Sequence, residues 1–271
     1  MPVTPTAEPR DPWALLDAAR TVLTVHAHPD DESLSTGTLL AHLAARGAEV
    51  VLVTATRGEE GETIPGSIPA GDTRLFDEVR MAELDGAASA LGIARRHLLG
   101  TPPALAPGAA PRRYRDSGMR WVTPQIAGPA EGTGDDAFTR RPHQEALADL
   151  VAAIEHERPD VLVSYDDGGT YGHPDHVLVH QLTAEASAAT GVPFVEVESY
   201  NEEGHGSADG VFAHRELPGT AAAVRGALDA HRTQLTLLAP DRRTDSIGLR
   251  LSGGQEHRLP LGAGVRVHDA D

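Results

Sequence analysis

Two apolar segments joined by one helical stretch most restrict how this sequence can fold. Residues 22–25 and 50–54 have the composition of buried strands, and residues 33–46 between them have helical composition and end before Gly47. A strand, a helix and a strand within about 35 residues form a βαβ unit, whose two strands must run parallel. The sequence therefore predicts an α/β fold.

The same alternation continues along the chain. We expect further helices over residues 12–20, 73–91, 143–157, 174–190 and 220–235, and further strands over residues 160–165 and 193–198. The predicted fold is a Rossmann-like, mostly parallel sheet flanked by helices, with long active-site loops and a small C-terminal extension. Residues 1–12 are expected to be a flexible tail and residues 13–271 a single domain, with a core over 20–200 and a C-terminal helix and strands over 201–271.

Charge and composition exclude several classes of function. The 40 acidic and 23 basic residues give a net charge of −17, which repels nucleic acid. The chain has no cysteine, so any metal site must use imidazole and carboxylate ligands. No apolar run approaches the ~18 residues of a membrane span. We therefore expect a cytoplasmic protein that acts on a small molecule, and homo-oligomerisation stays open.

Two predicted connections are too long for ordinary turns. Residues 57–72 and 100–142 are both expected to leave the carboxyl ends of strands, and the second connection is rich in glycine and proline. Loops of this length in a compact domain commonly bind ligands, and open parallel sheets bind theirs at the carboxyl ends of the strands. Both loops are expected to border the functional site.

The first polar cluster directly follows the first predicted strand. It places His28, Asp30 and Asp31 in a short segment that also contains His26 and Glu32. Such a density of charge is costly to fold without a cation, and the spacing from His28 to Asp31 lets both side chains converge. The alternative is that one aspartate only caps the next helix and that His28 lies on the surface.

A second polar cluster occupies the same topological position, after the strand predicted over 160–165. It contains Tyr171, His173, Asp175 and His176. A helix N-terminus capped by His173 would explain the proline that follows, but not both imidazoles. Because both clusters follow strands of one predicted sheet, we expect them to meet at its carboxyl edge around one metal ion.

Two imidazoles and one carboxylate, such as those of His28, His176 and Asp31, would fill three of the four positions around a zinc ion. The fourth position would stay open, as it does in catalytic zinc sites. Asp30, beside the ligand Asp31, is the best candidate for the general base. His173 and Tyr171 are hydrogen-bond donors for an oxyanion, and Asp175 is placed to hold His173 in its donating form. One Zn²⁺ per chain is expected, although the same ligands accept Fe²⁺ or another divalent ion.

Amide hydrolysis is the chemistry that these residues favour. The sequence has no phosphate-binding glycine motif and no lysine, and it has no G-x-S-x-G nucleophile elbow. A non-catalytic sugar-binding domain of the same fold is the alternative from another class. Such a domain would have no use for a base beside a metal-bound water.

The kernels His28-Pro-Asp-Asp-Glu32 and His173-Pro-Asp-His176, in this order, resemble the PIG-L or LmbE-like family of zinc N-deacetylases. The resemblance implies zinc ligands at His28, Asp31 and His176 and a general base at Asp30. It also implies that His173 and Tyr171 assist the tetrahedral intermediate.

Further segments are similar to the family members that deacetylate N-acetylglucosaminyl-inositol in mycothiol biosynthesis. These segments are HAHPDDESLS, GEEGE, YRDSGM and GGTYGHPDH. The resemblance implies that Glu62, Arg80 and Asp116 bind the sugar and inositol hydroxyls. Without it, Arg80 would be interpreted as half of an exposed ion pair and Asp116 as a turn residue.

Two related substrate classes stay open. The mycothiol-conjugate amidases of the family typically have a lysine where this chain has Ser35, which favours the deacetylases. The chain also has an Ala- and Pro-rich insertion over residues 101–112 and departs from the pattern over 127–141. Both lie where a substrate would be recognised, so a deacetylase of another N-acetyl sugar in a natural-product pathway is the second alternative.

Overall fold

The apolar runs of the sequence form the centre of a seven-stranded sheet. The computed structural model describes residues 11–123, 126–199, 211–240 and 242–268. The described strands are β1 (Thr21–His26), β2 (Glu49–Thr54), β3 (Arg95–Leu98), β4 (Met119–Trp121), β5 (Ala127–Pro129), β6 (Val161–Tyr165), β7 (Phe194–Val197), β8 (Ala213–Glu216), β9 (Leu235–Leu237), β10 (Ser246–Leu251), β11 (Glu256–Pro260) and β12 (Gly262–Val267). The described helices are α1 (Pro12–Ala18), α2 (Asp31–Leu34), α3 (Gly37–Ala45), α4 (Phe76–Leu91), α5 (His143–Glu157), α6 (Gly169–Gly172), α7 (Pro174–Thr190) and α8 (Ala221–Ala230).

The main sheet has the strand order β3-β2-β1-β6-β7-β12-β8. Its first five strands are parallel, with Val22 of β1 opposite Val50 of β2 on one side and Val161 of β6 on the other. β12 lies antiparallel between β7 and β8. The prediction of a mostly parallel α/β sheet is confirmed.

Helices cover both faces of this sheet, which explains why its strands are continuous apolar runs. Successive strand residues point to opposite faces, so Leu23 packs with α5 and α7 while Val22 packs with α1 and α3. A third buried cluster lies between α4, α8 and the antiparallel sheet β9-β10-β11. Gly86 and Gly226 face Ala230 and Ala90 across the contact between α4 and α8, so these helices pack closely.

The C-terminal part differs from the prediction in two ways. The helix expected over residues 220–235 ends at Ala230, and Leu235 begins β9. The segment expected to be a small extension also supplies β8 and β12 to the main sheet. In β12, one face has the sequence Ala-Val-Val and the other Gly-Gly-Arg, a weak periodicity that did not indicate where the strand would pair.

The helix expected over residues 33–46 is divided into α2 and α3. Thr36 lies at the break, where its hydroxyl is 2.8 Å from His26 Nε2 and donates to the carbonyl of Glu32. A buried polar contact with β1 thus replaces the continuous helical hydrogen bonding that composition favoured. In contrast, the predicted bounds of α5 and α7 are confirmed.

The two long loops border the carboxyl edge of the sheet. Residues 57–72 contain no helix or strand, as expected, and all of them are described. The second loop carries the hairpin of β4 and β5, which packs near α6, since a Cβ on Gly172 would lie 3.3 Å from the carbonyl oxygen of Ala127.

The predicted N-terminal tail falls mostly outside the described residues, as positions 1–10 do. Asp11 accepts a hydrogen bond from the backbone N–H of Trp13 at 2.9 Å, so it and Pro12 already belong to the start of α1. Within the described ranges, none of the helices has the length and apolar character needed to cross a membrane.

Candidate active site

The first polar cluster forms a tight turn between β1 and α2. Asp30 has a φ of 101°, which is unusual for a residue with a side chain, and its carboxylate makes no capping hydrogen bond to α2. Asp31 instead accepts a hydrogen bond from the backbone N–H of His28 at 2.8 Å. The alternative that Asp30 only caps the next helix is therefore wrong, because the turn directs its carboxylate elsewhere.

The second cluster lies at the start of α7, next to the first because β1 and β6 are adjacent and parallel. His173 is the N-cap, and its Nδ1 accepts a hydrogen bond from the backbone N–H of Asp175 at 3.2 Å. The cap interpretation is thus correct for His173. His176 lies in the first turn of the helix and faces the first cluster.

The donor atoms of His28, Asp31 and His176 converge. His28 Nδ1 lies 3.1 Å from His176 Nε2 and 3.2 Å from Asp31 Oδ2, and the other Asp31 oxygen, Oδ1, lies 3.3 Å from His176 Nε2. Tetrahedral ligands about 2.0–2.1 Å from zinc are roughly 3.3–3.4 Å apart. All three side chains are buried. The geometry of these residues therefore fits a tetrahedral metal ion.

The charge around His28 also suits a cation. Burial alone would lower the pKa of His28, but the charge and hydrogen bond of Asp116, with hydrogen bonds to Asp175 and Asp31, raise it well above its usual value. Burial would raise the pKa of Asp31, yet the charge and hydrogen bond of His176 and contacts with His28 hold it well below its ordinary value. Three carboxylates thus favour a positive charge where a metal would stand.

Asp175 contacts a different imidazole from the one expected. Its Oδ2 lies 3.1 Å from His28 Nε2 and accepts a hydrogen bond from the backbone N–H of Ser117 at 3.0 Å. The carboxylate of Asp175 therefore orients His28, and the expectation that it would hold His173 is wrong. The start of α7 is the cause. It directs the backbone N–H of Asp175 to His173 and the carboxylate of Asp175 to His28.

His173 lies beside the three converging residues. Its ring centroid is 4.7 Å from that of His28 and 4.9 Å from that of His176. Burial, together with the charges of His28 and His176, lowers the pKa of His173 to about 2. Since its Nδ1 accepts a hydrogen bond, the neutral ring carries its proton on Nε2 and can donate it to a ligand.

Arg80 is buried and holds the Asp30 turn. Its guanidinium donates to Asp30 Oδ2 at 3.2 Å, to the carbonyl of Gly58 at 3.1 Å and to the carbonyl of Pro29. The interpretation of Arg80 as half of an exposed ion pair is wrong, because only 2% of it is exposed. Burial raises the pKa of Asp30 to about 6, against the opposing charge of Arg80.

Two glycines of the GEEGE segment make room for this arginine. A Cβ on Gly61 would lie 2.5 Å from Arg80 Nη1 and 2.9 Å from Gln234 Oε1. A Cβ on Gly58, which has a φ of +65°, would lie 2.8 Å from Arg80 Nη1. The glycines of this loop therefore serve the close approach of a buried guanidinium to the backbone.

Asp116 and Glu62, the other residues expected to bind substrate, lie in different parts of the site. Asp116 is buried, lies 3.4 Å from His28 Nε2 and accepts a hydrogen bond from the backbone N–H of Gly118 at 2.8 Å. Glu62 is exposed, and its backbone carbonyl accepts a hydrogen bond from Gln234 at 3.1 Å. Asp116 thus belongs to the interior of the site and Glu62 to its rim.

Tyr171 and the β4–β5 hairpin border the site on its open side. The Tyr171 ring centroid is 5.5 Å from that of His176 and 5.5 Å from that of Trp121. Burial raises the pKa of Tyr171, so its hydroxyl stays protonated and can donate. Trp121 was not predicted; the residue is 46% exposed, and its place within the long loop over residues 100–142 was the only sequence signal for it.

The sequence also missed two supporting contacts. Thr170 Oγ1 lies 2.5 Å from His176 Nδ1, and His231 Nε2 lies 2.7 Å from Glu32 Oε1. Both Glu32 and His231 are fully buried. Neither contact follows from residue spacing, and His231 lies 199 positions from Glu32 in the chain.

Another group of metal-ligating side chains is present among the described residues. His180 Nε2 and His268 Nδ1 lie 2.8 and 2.7 Å from the same carboxylate oxygen of Glu196. The guanidinium of Arg266 is bonded to the other oxygen of Glu196. The charge of Glu196 is therefore already compensated, and the cluster around His28 is the better candidate for a metal ion.

Comparison with known proteins identifies the family of this chain. A family model described as "PIG-L: GlcNAc-PI de-N-acetylase" matches residues 23–187, more than half of the chain. A 1D-myo-inositol 2-acetamido-2-deoxy-α-D-glucopyranoside deacetylase of Kineococcus radiotolerans is 34% identical over 94% of this chain and 81% of its own length. The enzyme of the same name from Thermobispora bispora is 35% identical over 92% of this chain and 91% of its own length.

Solved structures show the same fold at low sequence identity. The zinc-inhibited form of teicoplanin deacetylase covers 93% of this chain and 100% of its own, with a TM-score of 0.58 at 19% identity. A 4-carboxy-2-hydroxymuconate hydratase from Pseudomonas putida covers 93% of this chain and 97% of its own, with a TM-score of 0.57 at 14% identity. The fold alone therefore does not determine the reaction. On the family match and the extended similarity to its members, this chain belongs to the PIG-L family of de-N-acetylases.

Proposed function

We propose that this protein hydrolyses the acetamide of N-acetylglucosaminyl-inositol, in a zinc-dependent reaction that releases acetate and the free amine. The observation that carries this proposal is the convergence of His28, Asp31 and His176 to within 3.1–3.3 Å, with Asp30 in the same turn. The substrate is inferred from the relatives in Kineococcus and Thermobispora, whose names specify that glycoside.

His28 Nδ1, the Asp31 carboxylate and His176 Nε2 would hold one divalent ion, and zinc suits two imidazoles and a carboxylate. When bound, zinc would lower the pKa of a water molecule from about 15.7 towards 7 and so supply a nucleophile at neutral pH. Asp175 would orient His28 from the far side of its ring, through the 3.1 Å contact at Nε2.

Asp30 would accept the proton of the attacking water. Its pKa of about 6 keeps it ionised at neutral pH while leaving it basic enough to take up a proton. The water oxygen forms a bond to the acetyl carbon, the C–N bond then breaks, and Asp30 returns the proton to the departing amine nitrogen. The turn that gives Asp30 its φ of 101°, and Arg80 beneath it, would hold the carboxylate in place for both transfers.

His173 and Tyr171 would stabilise the oxygen that becomes negative during attack. The Nε2–H of neutral His173 is free to donate, because the Nδ1 of that ring is occupied by the backbone N–H of Asp175. A phenol of raised pKa such as Tyr171 is also a donor at all physiological pH values. The exposed Glu62 and Trp121 would contact the sugar and inositol rings at the rim.

The direct test is release of primary amine from synthetic N-acetylglucosaminyl-inositol, measured with a fluorogenic amine reagent. We expect release by the zinc-loaded protein, loss of release with a chelator and recovery when zinc is restored. N-acetylglucosamine and a mycothiol S-conjugate, assayed in parallel, would separate a general sugar deacetylase and a conjugate amidase from the proposed enzyme. Metal-loaded protein that binds the glycoside but releases no amine from any of the three would support a binding domain and refute the proposal.

A further inference from the structure

We propose that Thr170 is a positioning residue, whose hydroxyl selects the ring orientation of His176 that presents Nε2 to the metal ion. This inference rests on the proposed metal site. Thr170 lies in α6, before His176 in the chain, and outside both of the kernels that contain the proposed metal ligands.

The direction of the hydrogen bonds at Thr170 follows from the proposed metal site. Thr170 Oγ1 donates its single proton to the carbonyl of Gly169 at 2.6 Å. With Nε2 as a metal ligand, the neutral imidazole carries its proton on Nδ1, so the 2.5 Å contact is an N–H that Thr170 Oγ1 accepts. A proton on Nδ1 leaves the lone pair on Nε2, the atom that faces His28 and Asp31.

Among the described contacts that distinguish the two ring orientations, Thr170 Oγ1 supplies the one at Nδ1, while those of His28 and Asp31 are at Nε2. The ring stacks on Tyr165 with centroids 4.5 Å apart and planes within 1° of parallel. Stacking fixes the plane of the imidazole, but a half-turn about its bond to Cβ would preserve the stack while exchanging each ring nitrogen with a carbon atom. The Thr170 hydroxyl stabilises one of these two orientations, because only that one places an N–H against it.

The backbone at Thr170 indicates that this position is held under strain. Its φ of 63° and ψ of −80° are poorly tolerated by a β-branched residue. Its backbone N–H donates to Ser199 Oγ at 2.8 Å, and Ser199 donates to the buried Asp166 from both its N–H and its hydroxyl. Contacts at the ends of β6 and β7 therefore impose the conformation, and a glycine would adopt it more readily.

This strain allows the hydroxyl to be tested separately from the fold. Thr170→Val keeps the shape and removes the acceptor, so we expect its zinc affinity to fall about 10–100-fold, the usual effect of losing a ligand's second partner. Thr170→Ser keeps the acceptor and should stay within about threefold of wild type. Thr170→Gly removes both strain and hydroxyl, so we expect lower zinc affinity but a melting temperature of metal-free protein equal to or above wild type.

Zinc affinity would be measured by competition with a chromophoric chelator, and stability by calorimetry on chelator-treated protein. Weaker zinc binding in Thr170→Val, with rescue in Thr170→Ser, supports the proposal whether or not amine release is found, since the readout is metal binding. Wild-type zinc affinity in Thr170→Gly would overturn the inference about Thr170 and leave the proposed metal site intact. Full metal content in His176→Ala would overturn the metal site itself, and the inference with it.

Discussion

Replacing His231 tests how far a buried ion pair supports the active-site turn. Its Nε2 lies 2.7 Å from Glu32 Oε1, and neither side chain is exposed. Glu32 also accepts a hydrogen bond from the backbone N–H of Asp30 at 3.0 Å, so the pair is connected to the proposed general base. His231→Leu would leave the Glu32 carboxylate buried without its partner.

The expected cost follows from this burial. Removing one partner of a buried ion pair destabilises a protein by about 3–5 kcal/mol, because the remaining charge stays desolvated. For a chain of this size each kcal/mol lowers the melting temperature by about 2–4 °C, so we expect a decrease of roughly 6–20 °C. The matched control is His214→Leu, since His214 pairs with Glu198 while 65% of its side chain is exposed. That change should cost less than about 1 kcal/mol.

The destabilisation caused by His231→Leu should depend on pH with a defined sign. Burial alone would raise the pKa of Glu32 and lower that of His231, but the charge and hydrogen bond of each partner reverse both shifts. The raised pKa of His231 stabilises the fold below 6.5, its usual value, and this contribution is lost as pH rises through the folded-state value. The lowered pKa of Glu32 stabilises it above 4.5, and this contribution is lost as pH falls through its folded-state value. The cost of His231→Leu should therefore be greatest between pH 4.5 and 6.5.

The assay is thermal unfolding of chelator-treated protein from pH 4 to 8, followed by circular dichroism. A double-mutant cycle with Glu32→Gln completes it, and we expect Glu32→Gln to cost less in the His231→Leu background than in the wild type. Equal costs in both backgrounds, or a His231→Leu effect no larger than that of His214→Leu, would refute the reasoning.

Three further substitutions address the site itself. Asp30→Asn keeps a side chain that tolerates positive φ, so zinc content should be unchanged. Because the variant lacks the carboxylate that accepts the proton, kcat should fall about 10²–10⁴-fold. A kcat within tenfold of wild type would exclude Asp30 as the base. His176→Ala should lose zinc, as measured by elemental analysis after dialysis, and a fully metallated variant would remove His176 from the ligand set. Gly61→Ala should reduce kcat/KM by displacing Arg80, while zinc content is retained. Its control is Gly219→Ala, whose Cβ would meet nothing within 4 Å. Equal kcat/KM values for the two variants would contradict the role given to Gly61.

The topology of the fold explains why the convergence of the proposed metal ligands was easier to predict than the contacts that support them. His28, Asp31 and His176 lie in short segments that follow strands, and adjacent parallel strands bring such segments together by topology alone. The contacts of Arg80 and Asp175 depend on where α4 and α7 pack and how they are rotated. Residue spacing contains no such information, so the predicted surroundings of both residues were wrong.

The sequence by itself determined the parallel α/β core, the bounds of α5 and α7 and the meeting of the two polar clusters, because these depend on local periodicity and on chain order. The tertiary structure alone decided that β8 and β12 complete the main sheet, that Asp116 is buried against His28, and that His231 pairs with Glu32 across 199 positions of the chain. The physical reason is that a buried charge acquires its partner only when distant segments have packed. That packing depends on the shape of the whole core rather than on any local pattern.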